Sequence, residues 1–312
     1  DILNRRIVGQ SHGLAMIADA YGNDVEQVVL HAARPPDGGF AKRRMLPATR
    51  RRMVGPFVLL DRFGPPGLPA GRGLEELAHP HIGLAALTYL FEGELVQRDS
   101  TGAVQTIQPG AVHLLVAGSG IVHAERGGGA ARRGVQSWVA LPCADEEMAA
   151  AVQYVPKEAL PCIEGDGIRM RLIAGSLHGR QAPTRCFSAL FQADVALADG
   201  ARFRLGAEHG ERAAYVASGA VELAGQGRRF GADRLVVFTP GKEIVLRAQG
   251  AARLLLLGGE KLPEKRHLCW NFVASRRERI DQAARDWRDG RFAGIPGENA
   301  FAPLPEPSPF RL

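Results

Sequence analysis

Apolar positions in this 312-residue chain come in strand-length runs, each closed by glycine, proline or a polar cluster. VEQVVL (25–30), RRML (43–46) and PFVLL (56–60) are the first such runs. Strands are then expected at LTYLF (87–91), ELVQRD (94–99), AVQTI (103–107), AVHLLV (111–116) and IVHAE (121–125), joined by EG, STG, QPG and GSG. Evenly spaced short strands with glycine turns predict an antiparallel sandwich or a small barrel. Between them FGPPGLPAGRG (63–73) is too rich in proline and glycine to be helix.

The pattern then repeats. CFSALFQADV, ARFRL, RAAYV, AVELA, RLVVF, EIVLRA and ARLLLL fill residues 186–258, and the two series can be superimposed. QPGAVHLLVAGSGIVHAE (108–125) falls on RFGADRLVVFTPGKEIVL (229–246), and EGEL (92–95) on SGAV (218–221). This predicts an all-β chain made of two tandem copies of one fold. The expected division is an extension (1–25), a first copy (26–141), a linker (142–180) and a second copy with its tail (181–312). The linker contains DEEMAAAVQ (145–153), which is helix-like. SRRERIDQAARDWRDGRF (275–292) has helical spacing with Ile280, Ala283, Ala284 and Trp287 on one face. The proline-rich end after it is expected to lie across the surface.

Composition supports this picture, since 38 glycines and 20 prolines favour turns over long helices. The net charge of +6 is spread along the chain without an aromatic-interleaved basic block, so specific nucleic-acid binding is not expected. TRRRM (49–53) reads as a solvated edge. Cys143, Cys162, Cys186 and Cys269 form no CxxC pair and read as reduced thiols of a cytoplasmic protein. No apolar run is long enough to span a membrane, and no secretory signal pattern opens the chain. GGG (127–129) lacks a phosphate-loop context and GSG (118–120) lacks the surroundings of a nucleophilic serine.

The candidate chemistry lies in HPHIGLAALTYLFEGEL (79–95) and GIVHAE (120–125). Residues two apart on a strand share a face, so His79 and His81 form one pair of donors, and His123 and Glu125 another. If the two strands are neighbours, three imidazoles and one carboxylate converge, a donor set suited to a divalent first-row ion. The second copy is an internal control. It places Ile244 and Leu246 where the first has His123 and Glu125, and Leu205 and Ala207 near the place of the other pair. A fold that required the histidines would keep them in both copies. His209 and Glu211 lie close by without a later histidine to complete a set, and His12, His31, His113 and His178 have no partner at ligand spacing.

HPH followed by TYLFEGELVQRDS, QPGAV, AGSGIVHAE and VQSWVALP resembles the pirin family, and WNFVASRRERIDQAARDWRDGRF is similar to the C-terminal segment of bacterial pirins. The likeness runs from about Val25 to about Glu306. It implies a bicupin: two tandem cupin-type antiparallel β-barrels with a short C-terminal helix. It also implies a mononuclear iron site in the first barrel, with ligands matching His79, His81, His123 and Glu125. Many pirins carry an acidic residue a few positions after HPH; this chain has Ala85 there.

The activity implied is that of quercetin 2,3-dioxygenase, with a flavonol or similar enol and O2 as substrates. Fe(II) is the expected ion, although the same ligands accept Mn, Co, Ni, Cu or Zn. Four protein ligands on a six-coordinate ion leave two positions open. Glu125 would lower the net charge and could accept the substrate's proton. The competing expectation, from eukaryotic relatives, is a metal-bearing, redox-responsive regulatory protein that contacts a protein partner with little turnover.

Overall fold

The computed structural model describes residues 24–30, 32–33, 42–64, 76–127 and 133–305. The front half comprises Val25–Leu30 (β1), Ala32–Ala33 (β2), Lys42–Leu46 (β3), Phe57–Phe63 (β4), Glu76–His81 (β5) and Leu84–Glu92 (β6). Leu95–Asp99 (β7), Val104–Ile107 (β8), Val112–Val116 (β9), Ile121–Gly127 (β10), Arg133–Ala140 (β11) and Ala151–Val155 (β12) complete it. The rear half runs through Cys162–Gly165 (β13), Ile168–Leu177 (β14), Arg180–Gln181 (β15), Leu190–Leu197 (β16), Arg202–Leu205 (β17) and Glu211–Ser218 (β18). Ala220–Leu223 (β19), Arg229–Gly231 (β20), Arg234–Phe238 (β21), Ile244–Ala248 (β22) and Ala252–Gly259 (β23) follow. His267–Cys269 (β24), Phe272–Ala274 (β25) and the helix Arg277–Arg288 (α1) end the chain's regular structure.

Each half folds as a large and a small antiparallel sheet. In front, β12-β9-β6-β11-β4-β3-β2 faces β5-β10-β7-β8; behind, β1-β21-β18-β23-β16-β14-β13 faces β17-β22-β19-β20. The two large sheets also pack on each other, so their strands are buried on both faces and read as nearly unbroken apolar runs. Along β6, Ala85, Leu87 and Tyr89 join the core between the barrels, while Ala86 and Leu90 point into the front barrel. The core between the barrels draws residues from both halves, including Leu114, Val135, Tyr215 and Leu255. Polar latches cross it. The Tyr89 hydroxyl donates to Asp194 (2.8 Å), Ser137 donates to Gln192 (3.0 Å), and Arg43 and Arg62 both pair with Asp233.

The expected strands of both series are present, and the tail helix forms with Ile280 and Ala283 buried and Ala284 and Trp287 packed on the same cluster. The helix-like segment 145–153 is not helical. Residues 143–147 are turns and Ala151 onward is β12, which pairs with β9. Nine residues make a marginal helix, and the free edge of β9 offers a full ladder instead. The segment 142–180, expected as a linker, supplies β12 to the front sheet and β13 and β14 to the rear one.

TRRRM is not wholly a solvated edge. Arg50 and Arg52 are exposed, but Arg51 reaches Glu26 and Glu211, both at 3.1 Å, and ties the halves together. The expected loops at 63–73 and 127–129, and the extension 1–25, fall largely outside the described residues. No helix among the described residues is long and apolar enough to cross a membrane.

The chain ends are exchanged between the barrels. β1 pairs with β21 of the rear sheet, whereas residues 267–305 cover the front barrel. Phe272 bridges to Ile82 and Phe301 to Ala78, and Ala78 exchanges backbone hydrogen bonds with Ala300 and Ala302. Gly83 permits this closure. Its φ is +66°, and a Cβ there would lie 1.9 Å from the Val273 carbonyl oxygen, so only glycine fits.

Candidate metal centre

β5 and β10 are antiparallel neighbours in which His79 stands opposite His123 and His81 opposite Ile121. The alternation of strand side chains therefore turns all three imidazoles to one face. Their nearest ring nitrogens lie within 4.8 Å of one another, and the side chains are buried. The Nε2 atoms of His81 and His123 are 2.9 Å apart. Two nitrogens bound at right angles to one ion at about 2.1 Å stand about 3 Å apart, so this spacing fits a shared cation.

The outer nitrogens of His79 and His81 are fixed by the backbone, whereas His123 Nδ1 has no hydrogen-bond partner among the described residues. His79 Nδ1 donates to the Leu77 carbonyl (2.7 Å) and His81 Nδ1 to the Asn271 carbonyl (3.2 Å). With the proton on Nδ1, the lone pair sits on Nε2, the tautomer a metal requires. Burial, reinforced by the neighbouring rings and Lys42, holds His81 and His123 well below the ordinary histidine range; burial also lowers His79. The three rings are neutral at physiological pH and carry the lone pairs of a ligand set.

Glu125 is buried beside this triad but outside its tight cluster. Its Oε1 is 4.0 Å from His123 Nδ1 and accepts from Gln136 Nε2 at 2.9 Å. Sequence reasoning missed the groups around it. Glu76 Oε2 is 3.9 Å from His79 Nε2, and Lys42 forms an ion pair with Glu76. Gln97 stands opposite Glu125 in the β7–β10 ladder, and the Trp138 ring meets the His81 ring edge-on at 4.9 Å. Trp138 could be anticipated as a barrel-lining residue from its alternation. Lys42, Glu76, Gln97 and Gln136 come together only through strand pairing and carry no local signal.

Ala85 belongs to the core between the barrels, so its side chain faces away from the histidines. A carboxylate at this position would not enter the triad. In the rear barrel Leu205 stands opposite Ile244 and Phe203 opposite Leu246, all four buried in one apolar cluster. His209 Nε2 donates to the Ser176 carbonyl at 3.0 Å, and the Glu211 carboxylate accepts from the Gly55 amide at 2.6 Å; both serve the architecture.

His113, opposite Thr88 in the β6–β9 ladder, gives a pH prediction. Burial pulls its pKa down to about 4, with Asp99 opposing the shift. Between that value and the ordinary 6.5, the unfolded chain binds a proton that the folded chain refuses, so stability rises with pH across this window. The metal-free protein is expected to lose about 3 kcal/mol through His113 alone between pH 6.5 and 4. Calorimetric melting temperatures across that range test this; His113→Asn should flatten the slope, and an equal slope in the variant would remove His113 as its source.

Comparison with known proteins agrees with the fold. Residues 39–139 match the pirin family model and residues 192–293 that of the pirin C-terminal cupin domain. A pirin-like protein of Caulobacter vibrioides is 42% identical over 291 residues, covering 89% of this chain and 99% of its own. A crystal structure of quercetin 2,3-dioxygenase from Acinetobacter baumannii superposes with a TM-score of 0.83 at 30% identity, covering 89% of this chain and 94% of that one. The Escherichia coli pirin YhhW, solved in complex with nickel(II), shares the fold with a TM-score of 0.60 at 16% identity, covering 76% of this chain and all of that one. Two cupin barrels in tandem, a buried histidine triad in the first, and these matches along most of its length place the chain in the pirin family.

Proposed function

We propose that this protein is a metal-dependent dioxygenase of the quercetin 2,3-dioxygenase type, acting on a flavonol or a similar enol. The observation that carries this reading is the buried, neutral triad of His79, His81 and His123, with Nε2 lone pairs aimed inward and a carboxylate beside it. The Acinetobacter baumannii relative named quercetin 2,3-dioxygenase supports the choice of reaction.

The three imidazoles would hold Fe(II), with Glu125 as the fourth ligand; Mn, Co, Ni, Cu or Zn would suit the same donors. Such an ion supplies a positive charge for the substrate's oxygen and a redox partner for O2. The protein's own part is orientation and proton handling. Glu125 would take the proton of the substrate hydroxyl, and the Gln136 amide, which donates to it, would hold its carboxylate in position. Trp138 and the covering residues 268–273 close the barrel end with apolar surface and keep water from the triad. In the net reaction both atoms of O2 enter the product while the heterocycle opens and CO leaves.

The test is to load the protein with Fe(II) without air, add quercetin, admit O2, and follow flavonol absorbance and CO. Loss of the flavonol band with about one CO per flavonol is expected. No change beyond that of free iron would sink the oxygenase and favour the regulatory protein, whose affinity for a protein partner would follow the metal's redox state.

A further inference from the structure

The interior of the front barrel is layered. Phe63, Leu90, Leu95 and Ile107 close one end and Leu59, Ala86, Leu115 and Trp138 the other. The layer between them is polar. Thr88, Gln97, His113 and Gln136 come from four strands, and each is at most 3% exposed. Gln136 is engaged, donating to Glu125 and to Thr88 (3.4 Å).

Three other polar atoms around the histidines have no hydrogen-bond partner among the described residues: Gln97 Nε2, His113 Nδ1 and Trp138 Nε1. They come from β7, β9 and β11 and approach the triad from different sides. Gln97 faces Glu125, Trp138 faces His81, and His113 is close enough to His123 to bear on its charge. A buried donor left unmatched costs roughly 1–3 kcal/mol, so unmatched donors in a folded interior call for an explanation. Architecture does not supply it. The rear barrel instead gathers Val195, Val216, Leu223, Val236 and Leu256 into one apolar cluster.

We propose that this polar layer is a ligand chamber, in which the Gln97 amide and the Trp138 indole N–H receive acceptor oxygens of an oxygen-rich small molecule held at the histidine centre. The inference deepens the proposed function by naming the groups that fix the ligand's orientation, and it requires only that a ligand bind there, whatever reaction follows. An aromatic molecule with a carbonyl next to a hydroxyl presents the required acceptors. Gln97 and Trp138 are then specificity residues: an analogue lacking the acceptor oxygen leaves their N–H groups buried and unmatched.

Gln97→Leu and Trp138→Phe test this, because each removes the donor; Gln97→Leu also keeps the bulk, and Trp138→Phe keeps an aromatic ring. Binding is measured by calorimetry on the Fe(II)-loaded protein without O2, using quercetin and, separately, kojic acid, a hydroxypyrone with adjacent oxygens but no flavonol rings. Metal content and the thermal stability of the metal-free variants are measured alongside. Each variant is expected to weaken binding about tenfold and to retain full metal stoichiometry, and Gln97→Leu to melt at or above the wild-type temperature; Trp138→Phe, which leaves a small cavity, is judged on affinity alone. A structural role would instead lower the melting temperature and leave affinity unchanged. Affinity within twofold of wild type in both variants, as expected if the donors meet only water, overturns the proposal, and so does a loaded wild type that binds neither probe. Binding of kojic acid that falls in the variants, with no quercetin turnover in the wild type, would keep the chamber and remove the flavonol reaction.

Discussion

His123→Ala is expected to abolish tight metal binding, and with it any turnover, while leaving a folded protein. His123 is the only member of the triad on β10, so its loss reduces the inward nitrogens to two neighbours on a single strand. Removing a group that merely orients a ligand typically lowers metal affinity 10–100-fold, so removing a ligand itself should lower it by more than about 100-fold. The fold does not depend on the imidazole, since the rear barrel has Ile244 in the equivalent place. Elemental analysis after dialysis against a weak chelator and a melting curve decide the matter. Stoichiometric metal in the variant would dissolve the proposed centre.

The second large effect concerns the seam between the barrels. Asp194 on β16, 3% exposed, accepts the Tyr89 hydroxyl from the front barrel and a two-pronged contact from Arg253, Nε at 2.8 Å and Nη2 at 2.6 Å. Arg253 also lies over the ring of Phe91 at 4.2 Å. Asp194→Ala would strand the guanidinium against the Phe91 ring of the opposite barrel and leave the Tyr89 hydroxyl without its acceptor. Breaking a buried pair from one side costs about 3–5 kcal/mol, and because the side chain of Arg253 retains partial solvent access we expect a loss near about 3 kcal/mol. Urea denaturation measures it. A loss below about 1 kcal/mol would mean that solvent replaces Asp194 at the seam.

The site was legible in the sequence to the extent that strand periodicity is local. HPH and HAE each declare two side chains on one face, and the duplicated pattern shows which copy carries them. The surroundings were not legible, for a physical reason. Gln97 meets Glu125, and Gln136 reaches it, only because β7, β10 and β11 fold into one barrel, and no spacing along the chain records that pairing. The same limit explains β1, whose alternation marks a strand but not the rear sheet it joins. The segment 145–153 misled because alanine-rich sequence favours helix locally, whereas the unpaired edge of β9 decided its conformation.

The cover over the histidines has a consequence for the order of events in the cell. The carbonyl that fixes His81 belongs to Asn271, 190 residues later in the chain. At synthesis rates of 5–20 residues per second, the ribosome needs roughly 10–40 s to make that stretch. The strands that carry the histidines therefore leave the ribosome before the group that fixes the His81 ring exists. An ion held by the triad would then be captured tightly only after the C-terminal segment is made, a late step in maturation.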